Sequence, residues 1–167
     1  LMVGSELPTP TKSGSTVTDR VAVEVRGVTV LDHDERPVVD DVSFGVHHGE
    51  ILGIAGVEGN GQAELVDALV GTRTVSAGQV FLKGEDVTGW NVRRRREAGL
   101  AYVPQDRQRE GLLLVAPLWE NVALGHQTRR PFVKGIWFDR KGARQRTEEV
   151  RRDFDVRAID GNTNLRA

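Results

Sequence analysis

The residues best able to do chemistry stand together in Gly56-Val57-Glu58-Gly59-Asn60-Gly61-Gln62-Ala63. Glycines let a backbone wrap with its N–H groups pointing inward, and a helix starting directly after them adds the positive potential of its N-terminus. The chemistry this suits is phosphate binding. The phosphate-loop pattern G-x-x-x-x-G-K-[ST] is met at Gly56 and Gly61, with Gly59 and Asn60 between them. Gln62 stands where a Lys would balance charge on the terminal phosphates, and Ala63 where a hydroxyl would ligate Mg²⁺. The loop keeps its N–H donors and loses a cation and a metal ligand. The dinucleotide fingerprint fits poorly, because Glu64 stands where its third Gly would follow Gly59 and Gly61. Two readings stay open: a phosphate cradle, or a Gly-rich strand-to-helix turn without a ligand.

The elements that must position this loop follow from periodicity. Ile51 to Ala55 is continuously apolar and predicts a strand buried on both faces, as in parallel sheets. Gln62 to Val70 predicts a helix with Leu65, Ala68 and Leu69 on one face and Gly71 as its stop. Upstream, Val21, Val23 and Val25, then Val28 to Leu31, then Val42, Phe44 and Val46 pattern as strands, with turn chemistry over Asp32 to Pro37. Downstream, Val80 to Leu82 predicts a short strand, Asn91 to Ala98 a charged helix ending at Gly99, and Leu100 to Val103 a second buried strand closed by Pro104. Pro117 to Leu124 and Asp139 to Phe154 predict helices, the latter with Ala143, Val150 and Phe154 sharing a face. Residues 5–20 have the Ser, Thr, Pro and Gly content of a linker.

Composition narrows the function classes. The 23 basic and 24 acidic residues leave a net charge of −1, so no global field draws in nucleic acid or an anionic membrane. Cysteine is absent, which excludes a disulfide scaffold and a thiolate metal site and fits a reducing cytosol. No apolar run approaches the ~20 residues of a membrane helix. Any link to a membrane is expected to run through partner proteins. The run Arg93 to Arg96 lacks interleaved aromatics and is expected to be a solvated helix face rather than a nucleic-acid site. His47 and His48 are adjacent, and so point to different sides of an extended chain, which argues against a metal pair. Trp119, Phe132 and Trp137 are expected to pack in a core or against a partner.

The wider pattern resembles the ABC ATPases, and among them importers of simple sugars and nucleosides that carry two nucleotide-binding halves in one chain. The stretches that carry the likeness are VDDVSFGVHHGEILGIAGVEGNGQAEL, opening at Val39, then AGQVFLKGEDVT, AGLAYVPQDRQREGLLL and LWENVALG. They span roughly Val21 to Ala167, in the family's order. The second half of such chains often carries G-x-x-G-N-G-Q, which Gln62 matches; Ala63 departs from the usual Ser. The fold implied is α/β: a P-loop NTPase core of the ABC type with an antiparallel β subdomain and part of a helical subdomain, truncated. The implied layout is an interdomain linker over 1–20 and a partial ATP-binding domain over 21–167. Within it lie the phosphate loop at 56–63, the Q-loop near 105 and a partial helical subdomain at 117–167. The chain opens on Leu1 and closes on Ala167 in mid-pattern, and both ends are expected to be cuts.

By that resemblance Gly56, Gly59, Asn60, Gly61, Gln62 and Ala63 line the phosphates of ATP. Gln105 takes the Q-loop position, where a side-chain carbonyl reaches Mg²⁺ and the attacking water. Taken from its residues alone, Gln105 could equally be a solvated loop residue after Pro104. The family often stacks an aromatic on adenine, and Val30 to Arg36 offers only His33. The L-S-G-G signature, the acidic Walker B strand and the switch His have no match here, so the chain alone is expected to be inactive, with Mg²⁺ weak or lost. The implied partners are transmembrane permease subunits, docking near Leu112 to Trp119, and the other nucleotide-binding half, with no nucleic acid. The implied location is peripheral, on the cytoplasmic face of the membrane. A competing reading is a degenerate nucleotide-binding or regulatory half that does not hydrolyse ATP. A P-loop kinase or GTPase would need the missing Lys and a base-specificity motif. The expected buried strands would lack covering neighbours in the isolated chain, which predicts marginal stability and self-association.

Overall fold

A computed structural model describes residues 14–57, 59–156 and 161–163. They fall into two compact units divided between Leu100 and Ala101. Residues 1–13 of the expected linker lie outside the described residues.

The first unit is built on an antiparallel sheet. The strands are β1 (Val21–Leu31), β2 (Pro37–His47), β3 (Ala77–Leu82) and β4 (Glu85–Asp86), in the order β2-β1-β3-β4. The turn between β1 and β2 is closed by Asp32, whose Oδ1 accepts from the N–H groups of Asp34 (2.8 Å) and Arg36 (2.9 Å). The two valine runs of β1 differ in phase, and a bulge joins them. Val25 faces Phe44 and Val28 faces Val42, so three residues of β1 match two of β2. Gly27 takes φ 56° at this bulge, a conformation that suits Gly. The extra residue lets Val25, Val28 and Val30 all enter one core, at 1%, 0% and 0% exposure. Helix α1 (Gln62–Val70) lays Leu65 and Ala68 on that core beside Val39, Val80, Leu82 and Val87.

Helix α2 (Val92–Glu97) starts at Asn91, whose side chain accepts from Arg94 N–H, an ordinary N-cap. The basic run on α2 departs from expectation. Arg93 and Arg94 are exposed, whereas Arg95 is 1% exposed. Its guanidinium donates to four main-chain carbonyls: Ala68 (2.6 Å), Leu69 (2.7 Å), Thr88 (2.8 Å) and Trp90 (3.0 Å). Burial pulls its pKa below the usual value, yet an Arg keeps its proton throughout the physiological range. A buried charge persists here because carbonyl dipoles replace water around it.

Two expected strands are not strands. Ile51 to Ala55 and Leu100 to Val103 have no regular secondary structure, and Ile51 is 97%, Ile54 49% and Val103 77% exposed. The physical reason is pairing. Apolar side chains favour burial, but a strand needs a neighbour for its N–H and C=O groups, and none stands beside these segments among the described residues.

In the second unit, Arg107–Gly111 form one π-helical turn, capped by Asp106, which accepts from Gln108 and Arg109 N–H. Helices α3 (Leu118–Ala123) and α4 (Arg140–Asp153) pack Trp119, Ala123, Phe132 and Ala143 together. Asp139 caps α4 by accepting from Lys141 and Gly142 N–H. Two short strands, β5 (Val133–Lys134) and β6 (Trp137–Phe138), form a hairpin. On α4 the buried positions are Ala143 and Thr147, and Phe154 is 75% exposed, so the expected face ends a turn earlier. Trp119 and Phe132 pack inside as expected, while Trp137 is exposed.

Candidate functional site: a glycine-rich loop at a helix N-terminus

The chain enters the site from β2. Glu50 closes the corner: its Oε2 accepts from the backbone N–H of His47 at 2.6 Å and lies 3.1 Å from the His47 ring. The backbone bond chiefly, then the ring, holds the Glu50 carboxyl below its ordinary value. After the irregular segment Ile51 to Val57, the loop turns with Asn60 N–H donating to the Val57 carbonyl at 3.1 Å.

Gly61 begins α1 with φ 90°, and a Cβ at this position would run into the carbonyl oxygen of Val38 on β2. Backbone conformation and close approach both require Gly there. The helix has no side-chain N-cap, and its first internal bond is Leu65 N–H to the Gly61 carbonyl. Among the described residues no side chain caps the first turn, whose N–H groups at Gln62, Ala63 and Glu64 stand at the loop. Together with the helix dipole they make a site for an anion.

The Gln62 side chain folds back into the loop. Its Nε2 donates to the Val57 carbonyl at 3.2 Å and lies where a Cβ on Gly56 would overlap it. Gly56 is thus the space that Gln62 fills. Ala63 is exposed and offers no oxygen. Glu64, in the first turn, is 3.7 Å from Arg73, which also donates to the Leu31 carbonyl at 3.1 Å.

The fold thus gathers Gly56, Gly59, Asn60, Gly61, Gln62 and Ala63 in one turn. Glu58 lies outside the described residues. Gln105 belongs to the second unit, exposed in a bend after Pro104. His33 is exposed in the turn between β1 and β2. The donor set suits phosphate oxygens. At the position where a hydroxyl would ligate Mg²⁺ stands Ala63. Arg95, which bonds the far end of α1, is not distinguishable in the sequence from its neighbours in the run Arg93 to Arg96.

Comparison with known proteins sets this geometry in a family. A profile described as ABC transporter matches residues 39–163. The chain is 34% identical to the guanosine import ATP-binding protein NupO of Bacillus subtilis, a match covering 100% of this chain and 33% of that protein. It is 33% identical to the nucleoside import ATP-binding protein NupA of Lactococcus lactis, over 94% of this chain and 31% of that one. With the xylose import ATP-binding protein XylG of Brucella melitensis the identity is 38%, over 74% of this chain and 25% of that one. The chain spans about a third of the length of the first two relatives. Among solved structures, a nucleotide-free ATP-binding cassette from an ABC transporter superposes with a TM-score of 0.67 at 16% identity, over 87% of this chain and 58% of that one. The ADP conformation of the cassette MJ1267 gives 0.65, with the same identity and coverage. The profile match fixes the family and the superpositions the fold: the chain belongs to the ABC transporter family and has the α/β fold of an ATP-binding cassette, in part.

Proposed function

We propose that the chain is part of the ATP-binding subunit of an ABC importer, coupling ATP binding and hydrolysis to uptake of a sugar or nucleoside. The observation that carries this reading is the uncapped N-terminus of α1, presented by a glycine turn that Gly61 alone can make against β2. The named functions of the relatives support the solute class. In this reading Gly56, Gly59, Asn60, Gly61, Gln62 and Ala63 hold the phosphates, and Gln105 serves as the Q-loop residue. Residues 1–20 form a linker and 21–167 a partial cassette. The partners are permease subunits and a second nucleotide-binding half, at the cytoplasmic face of the membrane. No helix among the described residues is long and apolar enough to cross a membrane.

A second reading has its own observation. Gln62 spends its amide on the Val57 carbonyl and Ala63 brings no oxygen, which favours a half that binds nucleotide without hydrolysing it. Titration calorimetry tests both readings. The wild-type chain is expected to bind ATP weakly and nearly independently of Mg²⁺, and Gly61→Asp to abolish binding. The double substitution Gln62→Lys with Ala63→Ser is expected to tighten binding about tenfold, through a charge-assisted contact, and to make it depend on Mg²⁺. Equal affinity in wild type and Gly61→Asp would overturn the phosphate-loop reading. Unchanged affinity in the double variant would overturn the account of Gln62 and Ala63.

A further inference from the structure

Helix α1 carries the phosphate loop at one end and meets Arg95 at the other. The helix has nine residues, so its ends stand only about 13 Å apart, and a rod that short moves as one piece. At the loop end it has no side-chain cap, and the contact of Gly61 with the Val38 carbonyl is steric. At the other end Arg95 Nη1 takes the carbonyls of Ala68 and Leu69, both in the last turn of α1. The same guanidinium takes Thr88 through Nη2 and Trp90 through Nε, both in the connection from β4 to α2. Four of its five N–H donors are thus used, in the fork geometry only Arg supplies. Gly71 makes room for it, since a Cβ there would come within 3.1 Å of Arg95 Nε. Arg73 is a looser tie, 3.7 Å from Glu64 and part-exposed.

We propose that Arg95 is a positioning residue for the phosphate loop: by clamping the last carbonyls of α1 to the Thr88–Trp90 turn, it fixes where the first turn of α1 presents its N–H groups. It touches no ligand. Its effect passes along the helix, and it rests on the reading of the loop as a phosphate site. A Lys at this position keeps the charge but cannot reach four carbonyls from one planar group. A Gln keeps one or two of the bonds and buries no charge.

Two measurements on the full chain test this, with thermal melts run alongside so that only folded samples are compared. In Arg95→Lys and Arg95→Gln, ADP affinity is expected to fall about fivefold, the low end of ordinary coupling between linked sites. Amide exchange over residues 59–64 is expected to quicken in both, without nucleotide. If either variant stays folded and keeps both wild-type ADP affinity and wild-type exchange in the loop, Arg95 is structural only and the proposal fails. If the wild type binds no ADP, the phosphate-site reading fails instead, and loop exchange alone decides whether Arg95 positions the turn. Should Arg95→Lys unfold, Arg95→Gln, which removes the buried cation, carries the test.

Discussion

Strand β1 and the segment from Ile51 to Val57 are made of the same kinds of residue and meet opposite fates. Val25, Val28 and Val30 are at most 1% exposed, while Ile51 is 97% and Val57 73% exposed. The difference is not apolarity. β1 has β2 on one side and β3 on the other, so its N–H and C=O groups are paired in both directions. Between Glu50 and Val57 no ladder forms among the described residues; the backbone bonds at its ends are Glu50 N–H to His47 and Asn60 N–H to Val57. Side chains supply a reason to be buried, and neighbours supply the means. The loop that presents Gly61 is therefore joined to β2 by a segment without a sheet neighbour, and approaches β2 again at Gly61, where a Cβ would meet the Val38 carbonyl.

Three measurements would break or sharpen this contrast. The largest effect is expected from matched truncations. Val28→Ala should cost about 2 kcal/mol by urea unfolding, from lost burial plus a cavity in the core. Ile51→Ala should stay within about 0.5 kcal/mol, as for an exposed site. Equal costs would mean that Ile51 is covered in solution and that the contrast is false. The next effect is local. α2 secures its first turn through Asn91 rather than through a sheet neighbour, and Asn91→Ala should cost about 1 kcal/mol in the same experiment. A loss well below that would mean the Arg95 clamp alone holds α2.

The smallest effect is a pH dependence at the root of the segment from Ile51 to Val57. Glu50 is held below its ordinary pKa by His47, so the contact is present above the unfolded-state value of about 4.3 and is lost as pH falls through the lower folded value. The His47 amide resonance should shift in that acidic window in the wild type and stay flat in Glu50→Gln. A shift that persists in the variant would assign the titration to another group.

How much of this was legible in the sequence depends on whether the signal was local. Caps are local, and Asn91, Asp139 and Gly71 mark ends of α2, α4 and α1 as expected. The turn of glycines and the helix after it are local too, so the loop from Gly56 to Ala63 was readable. Pairing is not local: Ile51 to Ala55 looks like a strand whether or not a partner stands beside it. Arg95 was invisible for a related reason. In Arg93 to Arg96 all four side chains look alike, and only the packing of α1 selects one of them to go inside. The exposed Phe154 and the short β5–β6 hairpin likewise depend on contacts that periodicity does not record.

The bulge at Gly27 has a consequence for reading any relative of this chain. Because one extra residue sits there, the inward valines occupy odd positions before it and even positions after it: Val23 and Val25, then Val28 and Val30. Gly27 works as a frame-shift written into the backbone. Straighten the bulge while keeping its residue and the two halves of β1 fall out of step, turning one half inside out; delete Gly27 and the valines instead fall into one unbroken two-residue alternation. An alignment that slides a gap across this glycine would score almost as well and would exchange the core for the surface over half a strand.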